Sequence, residues 1–479
     1  MSKFDTIKIQ RVFQIFEELC AVPRGSGNME GVAQFCMDFA NENQLKAVRD
    51  KANNIVIYKP ATNCVSNEPI ILQGHLDMVC QKTADSNIDF LKDGIDIFVD
   101  GDFVKARGTT LGADNGVAVA MILAILERND ISHPPIEALF TTDEEIGMIG
   151  ATALDCSLLK GKKMINLDAE EDDTVTVSCA GGSDFKAVIP ITREAKKGTA
   201  VTVTIKGLKG GHSGVEINSG RVNSNILAGR FLNCVKDKVD FDIISINGGD
   251  KSNAIPNTTV IELCTADADG FIKCANDCFE VIKKEIARRE PAFVSEITVK
   301  SKGEYAVFSQ QLKNSAMYTL LCVPNGVMDM SVEIPGLVET SLNLGVLATD
   351  DDGILMQFAL RSNKQSALIF LEQKMKGFFS NIPCRIYTSG HYPPWEFKEN
   401  SQLQKTYIGV YTDHFGIAPK VEAIHAGLEC GVFSAKIDGL DCIAIGPSLY
   451  DVHTVNEKLS ISSTEQIFSI LLKTLEKIC

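Results

Sequence analysis

Seven side chains, His75, Asp77, Asp114, Glu144, Glu145, Asp168 and His453, have the types and settings to hold two zinc ions and activate a water between them. That is chemistry for cleaving an amide bond. In IILQGHLDMV the apolar run ends at Gly74, so His75 and Asp77 project from the carboxyl end of a strand, where ligands gather in open α/β sheets. Residues i and i+2 of an extended segment share a face, so Asp77 can accept from the His75 ring nitrogen that does not face a metal. RGTTLGADNG sets Asp114 between glycines just ahead of a helical run. A carboxylate there can bridge two cations, although an N-cap aspartate accounts for the same residue more plainly. TTDEEIG crowds Asp143, Glu144 and Glu145 onto the end of the strand IEALFTT, and like charges that close repel unless cations neutralise them. One glutamate can bind metal while its neighbour takes a proton from water; an acidic helix start is the rival account. MINLDAEE ends another strand at Asp168, followed by Glu170 and Glu171. His453, in GPSLYDVHTVNEKLSI, follows the strand CIAIG and completes a nitrogen and oxygen set suited to a metal pair about 3.5–4 Å apart.

Strands that end in ligands need a sheet to hold them side by side. Strand and helix patterns alternate from the amino terminus to about residue 185: NNIVIYKP, PIILQG, a hairpin through DGIDIFVDGDFVKARG, a helix over 115–128, IEALFTT, a helix near 148–159, then KMINL. From about 186 to 390 the texture changes to long alternating strands such as VETSLNLGVLA and GILMQFALRS, with helices near 219–236, 270–289 and 363–379. The first texture returns in VEAIHAG, a helix from 430, LDCIAIG and a helix over 463–477. The expected fold is therefore α/β: a discontinuous catalytic domain, 1–185 and 391–479, with a mixed sheet flanked by helices. An inserted α+β lid over 186–390 is long enough for two similar halves split near 300.

A chain of 479 residues with 45% hydrophobic content supports two or three domains. Its 47 basic against 62 acidic residues give a net charge of −15, the wrong sign for nucleic acid or anionic lipid, which leaves small molecules as the favoured partners. The longest uninterrupted apolar run, Val117 to Leu126, is ten residues, and the opening MSKFDTIKIQ lacks the apolar stretch of a signal peptide. Fifteen scattered cysteines read as reduced thiols in a cytoplasmic protein, and Cys274 and Cys278 as packing residues.

Taken together, GHLDMV, GADNG, TTDEEIG, INLDAE, GGHSG and DVHTVNE resemble the co-catalytic zinc metallopeptidases that include aminoacylases and tripeptidases. Asn115 points within them to the Xaa-His dipeptidase branch, because many other relatives carry a second aspartate and a lysine after the bridging acid. The resemblance implies two Zn2+ per subunit, with Co2+ or Mn2+ as substitutes. His75 and Asp168 would hold one ion, Glu145 and His453 the other, and Asp114 would bridge them through a cis peptide to Asn115. Asp77 would orient His75, and Glu144 would be the general base toward a zinc-bridging water. In the lid, His212 of KGGHSG would stabilise the oxyanion, while Asn253 and Arg361 would grip a substrate carboxylate. Glu429 or His425, in HAGLECG, would meet the substrate's amino end, and His133, His391 and His414 would be structural or surface residues. The implied activity is hydrolysis of Xaa-His and other short dipeptides. An N-acyl-amino-acid amidohydrolase on the same scaffold is the alternative, and a catalytically silent peptide- or metal-binding relative the remote one. The implied partners are a small peptide substrate, no nucleic acid, no membrane, and a second copy in a homodimer through the lid.

Overall fold

The computed structural model describes residues 8–479; residues 1–7, which open the stretch expected to lack a signal peptide, lie outside the described residues. Two compact units emerge. One contains the residues up to Ser178, Phe397–Ala423 and Leu428–Cys479; the other contains Cys179–Glu396 and Ile424–Gly427.

The first unit is built on a mixed eight-stranded sheet. Its order is Lys46–Arg49, Ile55–Lys59, Ile136–Thr141, Ile70–His75, Lys163–Asn166, Asp441–Ala444, Thr174–Cys179, Lys420–Ile424. The third to sixth strands in that order run parallel. Every residue of Ile70–His75 and Ile136–Thr141 is buried, as expected of parallel strands covered on both faces. Because these strands run the same way and in register, with His75 beside Thr141 and Gln73 beside Asn166, their carboxyl ends deliver His75, the Asp143–Glu145 turn and Asp168 to one edge. The helix Ala113–Glu127 is apolar all round and buried from Asn115 to Leu126, so it is a core helix rather than an amphipathic surface one. A four-stranded sheet, in the order Leu449–Tyr450, Lys458–Ser460, Phe103–Ala106, Ile97–Asp100, ties down both ends of the His453 loop.

The second unit carries a nine-stranded sheet with an internal symmetry. Strands Arg193–Lys206, Asp242–Gly248, Thr259–Thr265 and Val294–Phe308, with helices Ser224–Val235 and Ala268–Ile286, form a β-α-β-β-α-β half with spatial order fourth, first, third, second. Strands Gly181–Pro190, Val338–Thr349, Gly353–Ser362 and Arg385–Tyr392, with helices Gln310–Cys322 and Gln365–Phe379, repeat that order. The halves meet where Gly248 pairs with Leu347. Each has its own aromatic knot, Phe231 stacked on Phe279 in one and Phe185 on Phe379 in the other. Residue 300, the expected division point, lies inside Val294–Phe308. The halves are instead nested, the first inserted after the opening strand of the second.

The unit boundaries also fall outside the expected 186–390. Gly181–Pro190 pairs along its whole length with Gly353–Ser362, so residues 181–185 belong to the inserted sheet, and an isolated bridge joins Cys179 to Trp395. Cys64 and Cys479 are joined as a disulfide, which departs from the expectation of reduced thiols throughout. No described helix is long and apolar enough to cross a membrane.

Candidate metal centre

Asp114 organises the centre. It sits in the first turn of Ala113–Glu127, ahead of a cis peptide to Asn115, and the cap position is Gly112, so the plainer N-cap account does not apply. One carboxylate oxygen lies 3.1 Å from His75 Nε2; the other lies 3.0 Å from His453 Nε2. His75 Nε2 is also 3.5 Å from Asp168, and His453 Nε2 is 3.0 Å from Glu145. Of three groups of possible metal ligands among the described residues, two share Asp114, namely His75, Asp114, Asp168 and Asp114, Glu145, His453; the third is His75, Glu144, Glu145. Metal bonds of about 2.1 Å in a tetrahedral arrangement leave neighbouring ligand atoms about 3.4 Å apart, and the observed separations fit that spacing.

The charges in this cluster are intelligible only with cations or protons among them. Burial pushes the Asp168 carboxyl up to about 6, with Asp114 and Glu145 adding to the rise against His75. Burial likewise raises Glu144 well above the usual carboxylate range, helped by Asp168, Glu429 and Glu145. His453 is driven up to about 11 because Asp114 and Glu145 both accept from its ring. Burial opposes charge on His75, yet Asp168, Asp114 and Asp77 outweigh it and raise that imidazole too. A metal ligand must be a neutral imidazole, so the raised proton affinities of His75 and His453 make metal binding pH-dependent.

Asp77 does more than its expected task. His75 Nδ1 lies 3.1 Å from the Asp77 carbonyl and 3.4 Å from its Oδ1, which leaves Nε2 to face Asp114 and to offer its lone pair to a metal. The same carboxylate accepts from the Glu144 amide at 3.0 Å, the Glu145 amide at 3.2 Å and Ser26 Oγ at 2.8 Å. One buried anion therefore sets three functional residues.

In the second unit, His212 pairs with Ala254, and the Asn253 carbonyl accepts from the Ser213 amide, so His212 and Asn253 sit on one small ribbon. His212 Nδ1 accepts from the Gly214 and Val215 amides at 3.2 and 3.3 Å, which puts the ring proton on Nε2. Burial and Arg361 lower its pKa, so the ring is a neutral donor. Arg361 is buried and donates from Nη1 to Tyr392 Oη at 2.8 Å, while its Nε has no hydrogen-bond partner. The two residues expected at the substrate's amino end are both buried. His425 has both nitrogens occupied, by Ser341 Oγ at 2.7 Å and Asn363 Oδ1 at 3.1 Å, and none left for a substrate. Glu429 is 0% exposed; its Oε2 accepts from Gln73 and Thr141, and its Oε1 has no hydrogen-bond partner.

The pattern of peptidase family M20/M25/M40 matches residues 71–477. The chain belongs to that family. This M20 peptidase is 35% identical over 483 residues to the cytosol non-specific dipeptidase of Escherichia coli (strain K12), covering 100% of this chain and 99% of the relative. It is similar to the crystal structure of aminoacylhistidine dipeptidase from Vibrio alginolyticus, with a TM-score of 0.91 and 35% identity over 99% of this chain and 98% of that one. The M20 family metallo-carboxypeptidase Sso-CP2 of Sulfolobus solfataricus shares the fold, with a TM-score of 0.53 and 16% identity over 98% and 99% of the two chains.

Several residues around the centre of this M20 peptidase escaped the sequence reading. Gln73, buried between strands, donates to Glu429 and accepts from Asn166 Nδ2 at 2.6 Å, and Asn166 Oδ1 accepts from the Asp168 amide at 3.2 Å. Arg24 and Glu457 hold the Asp114 loop. A polar residue inside an otherwise apolar strand, as in IILQG, was the available signal for Gln73. Arg24 had none.

Proposed function

We propose that this M20 peptidase is a metal-dependent dipeptidase acting on Xaa-His and other short dipeptides. The observation that carries the reading is Asp114, whose two oxygens face two histidines, each with a further carboxylate beside it. His75 and Asp168 would hold one ion, His453 and Glu145 the other, with Asp114 shared. Zinc suits this nitrogen and oxygen set, and cobalt or manganese would substitute. When bound, such a pair would supply Lewis-acid activation of water and of the scissile carbonyl.

The remaining chemistry belongs to the chain. Glu144 takes a proton from the attacking water and returns it to the leaving amine. Asp77 keeps His75 in the right tautomer. His212 offers its Nε2 proton to the carbonyl oxygen as negative charge develops there. The Arg361 fork, steadied by Tyr392, binds the terminal carboxylate, with Asn253 as a further polar contact. Two full-length relatives at 35% identity, one named a non-specific dipeptidase and the other an aminoacylhistidine dipeptidase, support the substrate class. The first of those names also supports a cytoplasmic site of action. A homodimer through the lid would use its outer strands, Val294–Phe308 or Arg385–Tyr392; light scattering that returns the mass of one chain refutes it.

The test is a steady-state panel of purified protein on Ala-His, Gly-His and their N-acetylated forms, with and without chelator. Free dipeptides should be cleaved, chelator should stop cleavage and zinc restore it. Preference for the N-acetylated forms would favour the amidohydrolase instead.

A further inference from the structure

Outside the metal-ligand set, two buried charges converge on the loop that carries Asp114. Glu457, 3% exposed, accepts four consecutive backbone amides: Oε2 takes Leu111 at 2.7 Å and Gly112 at 3.0 Å, and Oε1 takes Ala113 at 2.8 Å and Asp114 at 3.3 Å. A carboxylate has the lone pairs to accept all four donors. Arg24, 2% exposed, grips the same loop from the other side, donating to the Gly112 carbonyl through Nη2. Its Nη1 donates to the carbonyls of Leu76 at 3.0 Å and Asp77 at 3.4 Å. Gly112, at φ 69°, must be glycine for this, since a Cβ would come within 2.6 Å of the guanidinium.

The two clamps have different second ends. Glu457 stands four residues after His453 on one loop, so it ties the bridging acid to the His453 position. Arg24 ties it to the segment that carries His75 and Asp77. We infer that Glu457 and Arg24 are positioning residues that fix the bridging Asp114 to the two metal positions separately, Glu457 to the one at His453 and Arg24 to the one at His75. The inference rests on the two-metal reading above. A merely structural role would lower stability and leave the two affinities alone or reduce them together.

The experiment titrates metal-free protein with Zn2+ against a chromophoric chelator and reads zinc occupancies in crystals equilibrated at limiting Zn2+. Glu457→Gln turns an amide nitrogen toward two N–H groups. It should weaken one of two binding steps about 10–100-fold, the range seen when an outer-shell partner is lost, with occupancy falling beside His453. Arg24→Gln should weaken the other step and empty the position beside His75. Wild-type affinities in a variant whose metal-free Tm has dropped overturn the inference, as does equal loss at both positions. Each variant carries its own half of the test, so failure of one to fold leaves the other decisive. A wild-type protein that takes up fewer than two ions overturns the two-metal reading itself, and is told apart by that control.

Discussion

Replacing Asp77 with asparagine keeps the shape of a fully buried side chain and removes one of two acceptor oxygens. Four donors converge on the native carboxylate: His75 Nδ1 and the Glu144 amide at Oδ1, the Glu145 amide and Ser26 Oγ at Oδ2. An amide group placed toward Oδ2 meets one hydroxyl that can turn to accept and one backbone N–H that cannot. One buried donor is left unsatisfied at a cost of about 1–3 kcal/mol. The His75 ring also loses the negative charge that makes its Nε2 basic, and losses of this kind weaken metal binding about 10–100-fold, or about 1.4–2.8 kcal/mol. Zinc competition against a chelator should therefore show the affinity of one of the two binding steps reduced in that range. kcat at saturating zinc should fall as well, because the Glu144 and Glu145 amides have lost their common anchor. A D77N protein with wild-type zinc affinity and wild-type kcat would refute the assignment.

Three further outcomes follow from the same geometry. Glu144→Ala should bind zinc with unchanged stoichiometry and lose about 10²–10⁴-fold in kcat, the usual worth of a positioned base, and unchanged turnover would exclude that role. Arg361→Lys should raise KM for dipeptides about tenfold, near the value of one charge-assisted hydrogen bond, and leave dipeptide amides unaffected; equal effects on both would place Arg361 elsewhere. Burial, then Arg361 and His212, hold His425 down to about 3 against an unfolded value near 6.5. Between those values the unfolded chain binds a proton that the native protein refuses. Stability should therefore fall as pH drops through the window, by at most about 1.4 kcal/mol per pH unit, and His425→Gln should flatten that slope in urea melts at pH 7 and 5.

The acids at strand ends were legible because buried parallel strands are short apolar runs, and a carboxylate cluster closing such a run has few structural reasons to exist. GHLD, TTDEE and INLD each show this, and all three converge. Burial itself was not legible: Glu429 looks like any helix-start acid in HAGLECG, yet it is sealed beneath Thr141 and Gln73. Arg24 and Glu457 were hidden for another reason. Their partners are backbone groups, which every residue carries, so no side-chain spacing announces them. The lid's strands were visible as alternation, whereas their nesting depends on which distant strands pair, as Gly181–Pro190 does with Gly353–Ser362. The helix Gln402–Phe415 went unread because Tyr407, Ile408, Val410, Tyr411 and Thr412 favour strands; burial of Leu403, Tyr407, Val410 and Tyr411 on one face overrides that preference.

Anomalous diffraction at the zinc edge from crystals of the purified protein tests the central claim most directly. Two peaks are predicted, one touching His75, Asp168 and an Asp114 oxygen, the other touching His453, Glu145 and the second Asp114 oxygen. A single peak, or peaks away from Asp114, would contradict the account.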